Sequence, residues 1–345
     1  MIVNKTIIIS PSGHFYGSEQ VLFDFLAQTQ NLYKVYVPRR GRLIEKLISQ
    51  KKHTTRSFGS IKFLYLKIFF QLLLGKANVI YTNEGGHIRY FKVLARAFKK
   101  RKFVVHIRII EDTDSNRIGL LTKNVVLLSI SDYVTALIGT SKQFVRTFYD
   151  PYISKSNIRV IRKCGKSRIK VGIVGRVTDT KGLEDIECFC DFLEKGNISN
   201  IHINLFGDVE KEKQNVLLFI KKSKNYSHVE ITFHGFVENK DELYNSIDIV
   251  IHFSKVEPLG RIFFESLDYG IPFIGFNAGG IGEIARILHL EDCMINQRIN
   301  WEADLCHKIN TVQKSLQKYQ AAKENCEMFF SADAYCKALE KIILV

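Results

Sequence analysis

Short runs of β-branched and aliphatic residues recur along the chain, each followed by a longer stretch with helical spacing. This alternation restricts the fold more than any other feature. The runs TIIIS (6–10), YKVYV (33–37), NVIYT (78–82), FVVHIRI (103–109) and VVLLSIS (125–131) predict strands. Helices are expected near 18–29, 42–50, 60–74, 87–98 and 132–147. The strands are apolar on both faces, as in a parallel sheet covered by helices on each side. A βα repeat of this kind is the pattern of a doubly wound fold.

The repeat breaks once. DPYISKSNIRVIRKCGKSR (150–168) is polar, basic and poor in helix signals, and a second series then begins with VGIVG (171–175). It continues through IHINLFG (201–207), VEITFHG (229–235), IDIVIHF (247–253) and PFIGF (272–276), with helical stretches filling 301–344. The expected division is a Rossmann-like domain over 1–165 and a second over 166–330, with a cleft where the C-terminal strand ends of the two sheets face each other.

Charge separates the two halves. Residues 1–165 hold 28 Lys/Arg and 9 Asp/Glu, a balance of +19, whereas 166–345 hold 22 and 26, a balance of −4. A basic N-terminal half suits nucleic acid, anionic lipid or a phosphorylated substrate. Its greasiest stretch, FLYLKIFFQLLL (63–74), is too short to span a bilayer and carries Lys67, so it reads as a helix half buried or lying on a membrane surface. Seven cysteines without a Cys-x-x-Cys pair argue against a disulfide framework or a zinc site and fit a reducing compartment.

Four segments carry chemistry. In EPLGRIFFE (257–265) the two glutamates lie eight residues apart, and at about 100° per residue they do not share a helical face. Pro258 keeps Glu257 in the loop after its strand and favours a helix start close behind. The N–H groups of Gly260, Arg261 and Ile262 would then seat a phosphate, with Gly260 admitting a ligand close to the backbone. In VGIVGRVTDTKG (171–182), Arg176 and Lys181 follow a strand at the same end of the same sheet. They suit a diphosphate leaving group, whose charge grows as its bond breaks. NAGGIGEIA (277–285) has the glycine spacing of a dinucleotide fingerprint, but no acidic residue ends a following strand. PSGHFYGSEQ (11–20) puts a turn with Gly17 and Ser18 between the first strand and its helix, where a ligand phosphate could enter. Other matches fail. CGKS (164–167) lacks the P-loop's first glycine, with Val160 in its place. Asp112-Thr-Asp114 reads as a solvated loop rather than a metal site. His106, near a strand end, reads first as a core histidine.

Taken in order, the Gly-bearing turn, the strand histidine, GRVTDTKG, HGFVEN (234–239), EPLGRIFFE and NAGGIGE resemble the retaining glycosyltransferases of family 4, glycosyl transferases group 1, with the GT-B fold. The resemblance implies that Arg176 and Lys181 grip the donor diphosphate, and that Glu257 meets the donor sugar. It further implies that Glu265 binds the ribose, that Gly235, Phe236 and Val237 lie near the base, and that His106 faces the transferred sugar. Leu259, Gly260, Arg261 and Ile262 fall inside the donor-binding motif. The turn at Tyr16-Gly17-Ser18-Glu19 departs from the family's Gly-Gly-Ala-Glu, with a side chain in place of the first glycine. The family implies no metal or other cofactor, and a C-terminal helix (about 331–345) that returns to the N-terminal domain.

The resulting expectation is sugar transfer from a nucleotide sugar, UDP favoured and GDP an option, to a hydroxyl of a glycan or lipid-diphosphate-linked acceptor. The setting would be bacterial surface polysaccharide synthesis, in the cytoplasm with peripheral contact at the inner membrane face. Two alternatives stay open. A GT-B epimerase or hydrolase would turn over donor without acceptor. A basic nucleic-acid-binding protein is suggested by charge alone and lacks an aromatic-interleaved basic surface.

Overall fold

The computed structural model describes residues 5–139, 145–164, 167–296 and 299–344. The chain divides into two compact units: Met1–Tyr152 with Phe330–Val345, and Ile153–Phe329. Unit 1 holds strands β1 (Thr6–Ile9), β2 (Lys34–Pro38), β3 (Thr54–Phe58), β4 (Val79–Thr82), β5 (Lys102–Ile107), β6 (Val125–Ser129) and β7 (Val145–Thr147). They form one parallel sheet in the order 3-2-1-4-5-6-7. Unit 2 holds β8 (Ile169–Val174), β9 (Ile201–Phe206), β10 (Glu230–Gly235), β11 (Ile249–His252) and β12 (Phe273–Gly275), parallel in the order 10-9-8-11-12. The fully buried patterns of β1, β4 and β11 explain why these strands read as unbroken apolar runs.

Each order reverses once, between β1 and β4 in unit 1 and between β8 and β11 in unit 2. At such a switch point the following loops depart to opposite faces of the sheet, leaving a crevice at the strands' C-terminal ends where open α/β sheets bind ligands.

Three expectations need correction. The helix expected over 132–147 is a short helix, Asp132–Leu137, capped by the Ser131 hydroxyl; β7 follows at 145–147, and 140–144 lie outside the described residues. The strand β3, TTRSF, gave no signal because it is a polar edge strand with its side chains largely in solvent. The domain boundary falls at Tyr152/Ile153 and not after 165. The reason is that the Asp268 carboxylate accepts from the Ser154 hydroxyl and from the Lys155 and Ser156 N–H groups, while Arg162 donates to the Tyr244 carbonyl. These bonds fasten the polar connector to unit 2. Of the CGKS motif, Gly165 and Lys166 lie outside the described residues.

The last helix, Ala332–Ile343, belongs to unit 1. Tyr335, Cys336, Leu339 and Ile343 join the core formed by β1, β2 and the helix Gly17–Gln28. Thr6 Oγ1 donates to the Ile343 carbonyl at 2.6 Å, tying the end of that helix to the interior strand β1. Unit 2 is filled around Phe189, Phe253, Phe276 and Trp301, whose rings meet edge-on or tilted at 5.2–6.4 Å.

Candidate active site

In unit 2 the loops after β8 and β11 are laced together across the switch point. Ser254 Oγ donates to the Thr180 carbonyl at 3.1 Å. Gly182 has φ +81°, and a Cβ there would lie 2.5 Å from the Phe253 carbonyl oxygen, so only glycine lets the two loops approach. Lys181 Nζ then reaches Glu257 Oε2 at 2.7 Å, and His252 Nε2 lies 3.3 Å from the same oxygen. Burial by itself would raise the Glu257 carboxyl, but contact with His252 and the Lys181 charge outweigh it and hold the group down at about 2. Glu257 is therefore a fixed anion at any physiological pH.

The loop 257–260 is backed by the helix Gly279–Ile287. The Gly280 N–H donates to the Glu257 carbonyl at 2.8 Å. A Cβ on Gly280 would sit 2.4 Å from the Pro258 carbonyl oxygen, and one on Gly279 3.0 Å from the Glu257 carbonyl oxygen. The glycine pair of NAGGIGE is thus explained by close packing against the glutamate loop rather than by dinucleotide binding. Gly260 also differs from expectation. It has φ +87° and opens the helix Arg261–Asp268, but a Cβ would meet Ile281 Cδ1 at 2.0 Å. Its missing side chain makes room for Ile281.

The remaining residues of the set lie around this pair. Arg176 is largely exposed and pairs with Glu210 at 3.2 Å, which also accepts from Thr178 Oγ1 at 2.8 Å and Lys213 Nζ at 2.7 Å. Glu265, on the helix Arg261–Asp268, takes Lys240 Nζ at 2.7 Å on one oxygen and the Tyr244 hydroxyl at 3.2 Å on the other. Leu259 is buried, while Ile262 is half-buried on the first turn of that helix. At the end of β10, Gly235 faces open space and Phe236 is 60% exposed, with Val237 half-buried beside it. Gly235 also lines a depression of about 430 Å³ shared with Asp208, Phe233 and His234. The structure thus joins Lys181 to Glu257 directly, and gives Arg176 and Glu265 separate partners.

In unit 1, Gly17 and Ser18 open the helix Gly17–Gln28 after β1, and the Glu19 carboxylate caps it by accepting the Tyr16 N–H at 3.0 Å. Ser18 Oγ donates to Glu84 Oε1 at 2.5 Å, bridging to the loop after β4. Burial is the main cause that raises the Glu84 carboxyl to about 7; Ser18 and Arg108 pull it down, while Glu19 and Asp112 push it further up. The Asp112 carboxylate accepts the Gly85 N–H at 3.0 Å. Among the described residues no group of three or more His, Cys, Asp or Glu side chains is arranged to hold a metal.

His106 lies in the interior of unit 1. Its ring is fully buried, with Nδ1 3.1 Å from the Tyr81 hydroxyl and 3.2 Å from Arg108 Nη2. Burial, then the Arg108 charge, push its pKa well below the usual histidine value, so it is neutral. Arg108 itself is locked by the Asp150 carboxylate, the Asn83 carbonyl and the Tyr335 hydroxyl. The sequence reading missed His252, Glu84 and Glu210. His252 ends β11, five residues before Glu257, a position that could have drawn attention. Glu84 and Glu210 lie in no motif, and their roles come from contacts distant in sequence.

The family model of glycosyl transferases group 1 matches residues 154–326, half of the chain and nearly all of unit 2. A Klebsiella pneumoniae protein described as an uncharacterized 41.2 kDa protein in the cps region is 23% identical over 292 residues, spanning 81% of this chain and 73% of that one. Anabaena Alr3699/HepE, solved with UDP and glucose, superimposes with a TM-score of 0.75 at 18% identity, covering 98% of this chain and 99% of that one. The lipopolysaccharide outer core galactosyltransferase WaaB, in its apo form, gives 0.72 at 13% identity, with 98% of each chain covered. Sucrose-phosphate synthase from Thermosynechococcus elongatus gives 0.71 at 15% identity, also with 98% of each covered. At these identities the structural likenesses establish the fold, two parallel-sheet Rossmann-like units of the GT-B class. With the matching family model, the conclusion is that the chain belongs to the glycosyl transferases group 1 family and is a glycosyltransferase.

Proposed function

We propose that the protein transfers a sugar from a nucleotide-diphosphate sugar, UDP in preference to GDP, to a hydroxyl of a glycan or lipid-diphosphate-linked acceptor with retention of configuration. The observation that carries this reading is the Lys181–Glu257 pair across the unit 2 switch point, with Arg176 on the same loop. A partly buried carboxylate held ionised beside a lysine offers a sugar two complementary partners: an acceptor for its hydroxyls and a cation for the adjoining phosphate.

The bond between the anomeric carbon and the β-phosphate oxygen breaks, and its electron pair leaves with the diphosphate. Lys181 and Arg176 neutralise the charge that develops, turning from Glu257 and Glu210 toward the phosphates, and the first-turn N–H groups of the helix Arg261–Asp268 add their dipole. The acceptor oxygen bonds to the same face of the sugar, and its proton passes to the leaving diphosphate. In this reading the two side-chain cations serve where other glycosyltransferases use a metal. Glu265 would exchange Lys240 for the ribose hydroxyls, and Phe236 would cover the base beside Gly235 and Val237. Gly17, Ser18 and Glu84 would meet the acceptor.

The Klebsiella relative's cps region and the UDP and UDP-glucose complexes of HepE support a role in surface polysaccharide synthesis with a UDP donor. Calorimetric titration with UDP-glucose, UDP-N-acetylglucosamine and GDP-mannose, with and without chelator, tests it. At about 100 Kd, ligand binding adds about 2.7 kcal/mol of stability. Chelator-resistant binding of a UDP sugar is the expected result; binding of none, or of GDP-mannose alone, would contradict the donor assignment.

A further inference from the structure

The helix Ile61–Leu73 is apolar on both sides, and unit 1 covers only one of them. Leu64, Tyr65, Ile68 and Leu72 are buried in unit 1, whereas Phe63 (75% exposed), Leu66, Phe70 (51%) and Leu73 (61%) face solvent, followed by Leu74 (64%). The exposed positions recur at intervals of three and four residues, so they line one helix face. A stripe of large apolar side chains of this length on the outside of a fold marks a contact surface.

The surroundings say with what. The helix Ile88–Ala97 packs alongside, with Tyr65 stacked on Tyr90 at 4.5 Å and Phe69 meeting Phe98 at 5.2 Å, and it adds the exposed Val93 to the surface. Between residues 61 and 102 there are ten Lys/Arg and a single acid, Glu84. Lys62, Lys67 and Lys76 flank the stripe, and Arg89, Arg96, Lys99 and Lys100 are exposed on or just beyond the neighbouring helix. Among the described residues no helix is long and apolar enough to cross a membrane.

We propose that this face docks on an anionic lipid bilayer, with Phe63, Leu66, Phe70, Leu73 and Leu74 entering the headgroup–acyl boundary and the flanking lysines and arginines resting on the lipid phosphates. An apolar face in a basic rim is what an interfacial helix needs. A second copy of the chain fits less well, because a two-fold interface would press this cationic surface against itself. The surface would bring unit 1 to a membrane carrying a lipid-linked acceptor. It shares no residue with the donor set, so it survives or fails independently of the donor reading.

The test is co-sedimentation of the full chain with vesicles of phosphatidylcholine alone or mixed with roughly 30% phosphatidylglycerol. Wild type should bind the anionic vesicles at least about tenfold more tightly than the neutral ones, with the advantage lost in high salt. F63S/F70S and K62E/K67E should each weaken anionic-vesicle binding about tenfold or more, while calorimetric UDP binding and Tm stay at wild-type values. Equal binding by wild type and both variants, or none by wild type, would overturn the proposal. A dimer in sedimentation equilibrium that F63S/F70S dissociates would overturn it in favour of a second copy.

Discussion

The two units repeat one architecture, and each joins two loops across the point where its strand order reverses, but what they place there differs. In unit 2 the bridge is an ion pair, Lys181 to Glu257 with His252 alongside. In unit 1 it is a hydroxyl on a carboxyl, Ser18 to Glu84, with Glu19 and Asp112 raising the carboxyl further. Burial pushes both glutamates toward the neutral form. At Glu257 contact with His252 and the Lys181 charge reverse this, and the two groups end at about 2 and about 7. The same topology thus presents a cation with a fixed anion in one unit and a near-neutral acid in the other. The first arrangement suits a phosphorylated sugar and the second suits hydroxyls.

Removing the cation should have the largest effect. In the proposed reaction Lys181→Ala withdraws the charge that would meet the leaving diphosphate, and loss of one such group costs about 10²–10³ in rate, roughly 3–4 kcal/mol. Initial rates of UDP-sugar turnover check this, and a variant within a few-fold of wild type would detach Lys181 from the chemistry. Next is the packing behind the anion. Gly260→Ala places a methyl 2.0 Å from Ile281 Cδ1 at φ +87°, and strain plus overpacking should cost about 2–4 kcal/mol. Gly86→Ala, in the matching loop of unit 1, meets nothing within 4 Å and should leave Tm close to wild type. Thermal unfolding of the two variants compares them directly.

A smaller effect, in pH dependence, separates the two glutamates by sign. Glu84 has a folded pKa of about 7 against an ordinary 4.5, so the native state holds its proton more tightly. Its contribution to stability is present below about 4.5 and is lost as pH rises through about 7. Glu257, lowered to about 2, contributes above about 4.5 and loses that contribution as pH falls toward 2. Glu84→Gln should therefore gain on wild type by about 1–2 kcal/mol between pH 5 and 8, within the ~1.4 kcal/mol per pKa unit that linkage allows. Denaturant titrations across that range measure it; a constant difference between the two proteins would place the Glu84 pKa elsewhere. The smallest effect belongs to Ser18→Ala. Losing one hydrogen bond to Glu84 should raise the carboxyl further and change stability by about 1 kcal/mol, read from the same titrations.

Much of this was legible in the sequence where local rules suffice. The βα alternation specified two parallel sheets, and Pro258 with Gly260 marked the loop-to-helix turn that sets Glu257. Long-range contact was not legible. Glu84 stands outside every motif and acquires its pKa from burial, and then from Ser18, Glu19, Arg108 and Asp112, the first two of these more than sixty residues away. His106 matched a family position in order along the chain, but burial beside Arg108 is a tertiary property that no spacing records. Gly260 and the pair Gly279–Gly280 each sit where another group approaches the backbone closely. What approaches is Ile281 in one case and the backbone of residues 257–259 in the other. β3 and the short helix Asp132–Leu137 were misread because an edge strand needs no apolar alternation, and a cap at Ser131 says where a helix starts but not how soon it stops.

The most direct measurement is calorimetric titration of a UDP sugar into wild type, Lys181→Ala and Glu84→Gln. If the two switch points are specialised as proposed, Lys181→Ala should weaken donor binding at least about tenfold, about 1.4 kcal/mol, and Glu84→Gln should bind like wild type. Donor binding lost in Glu84→Gln and kept in Lys181→Ala would contradict the assignment of the diphosphate to unit 2.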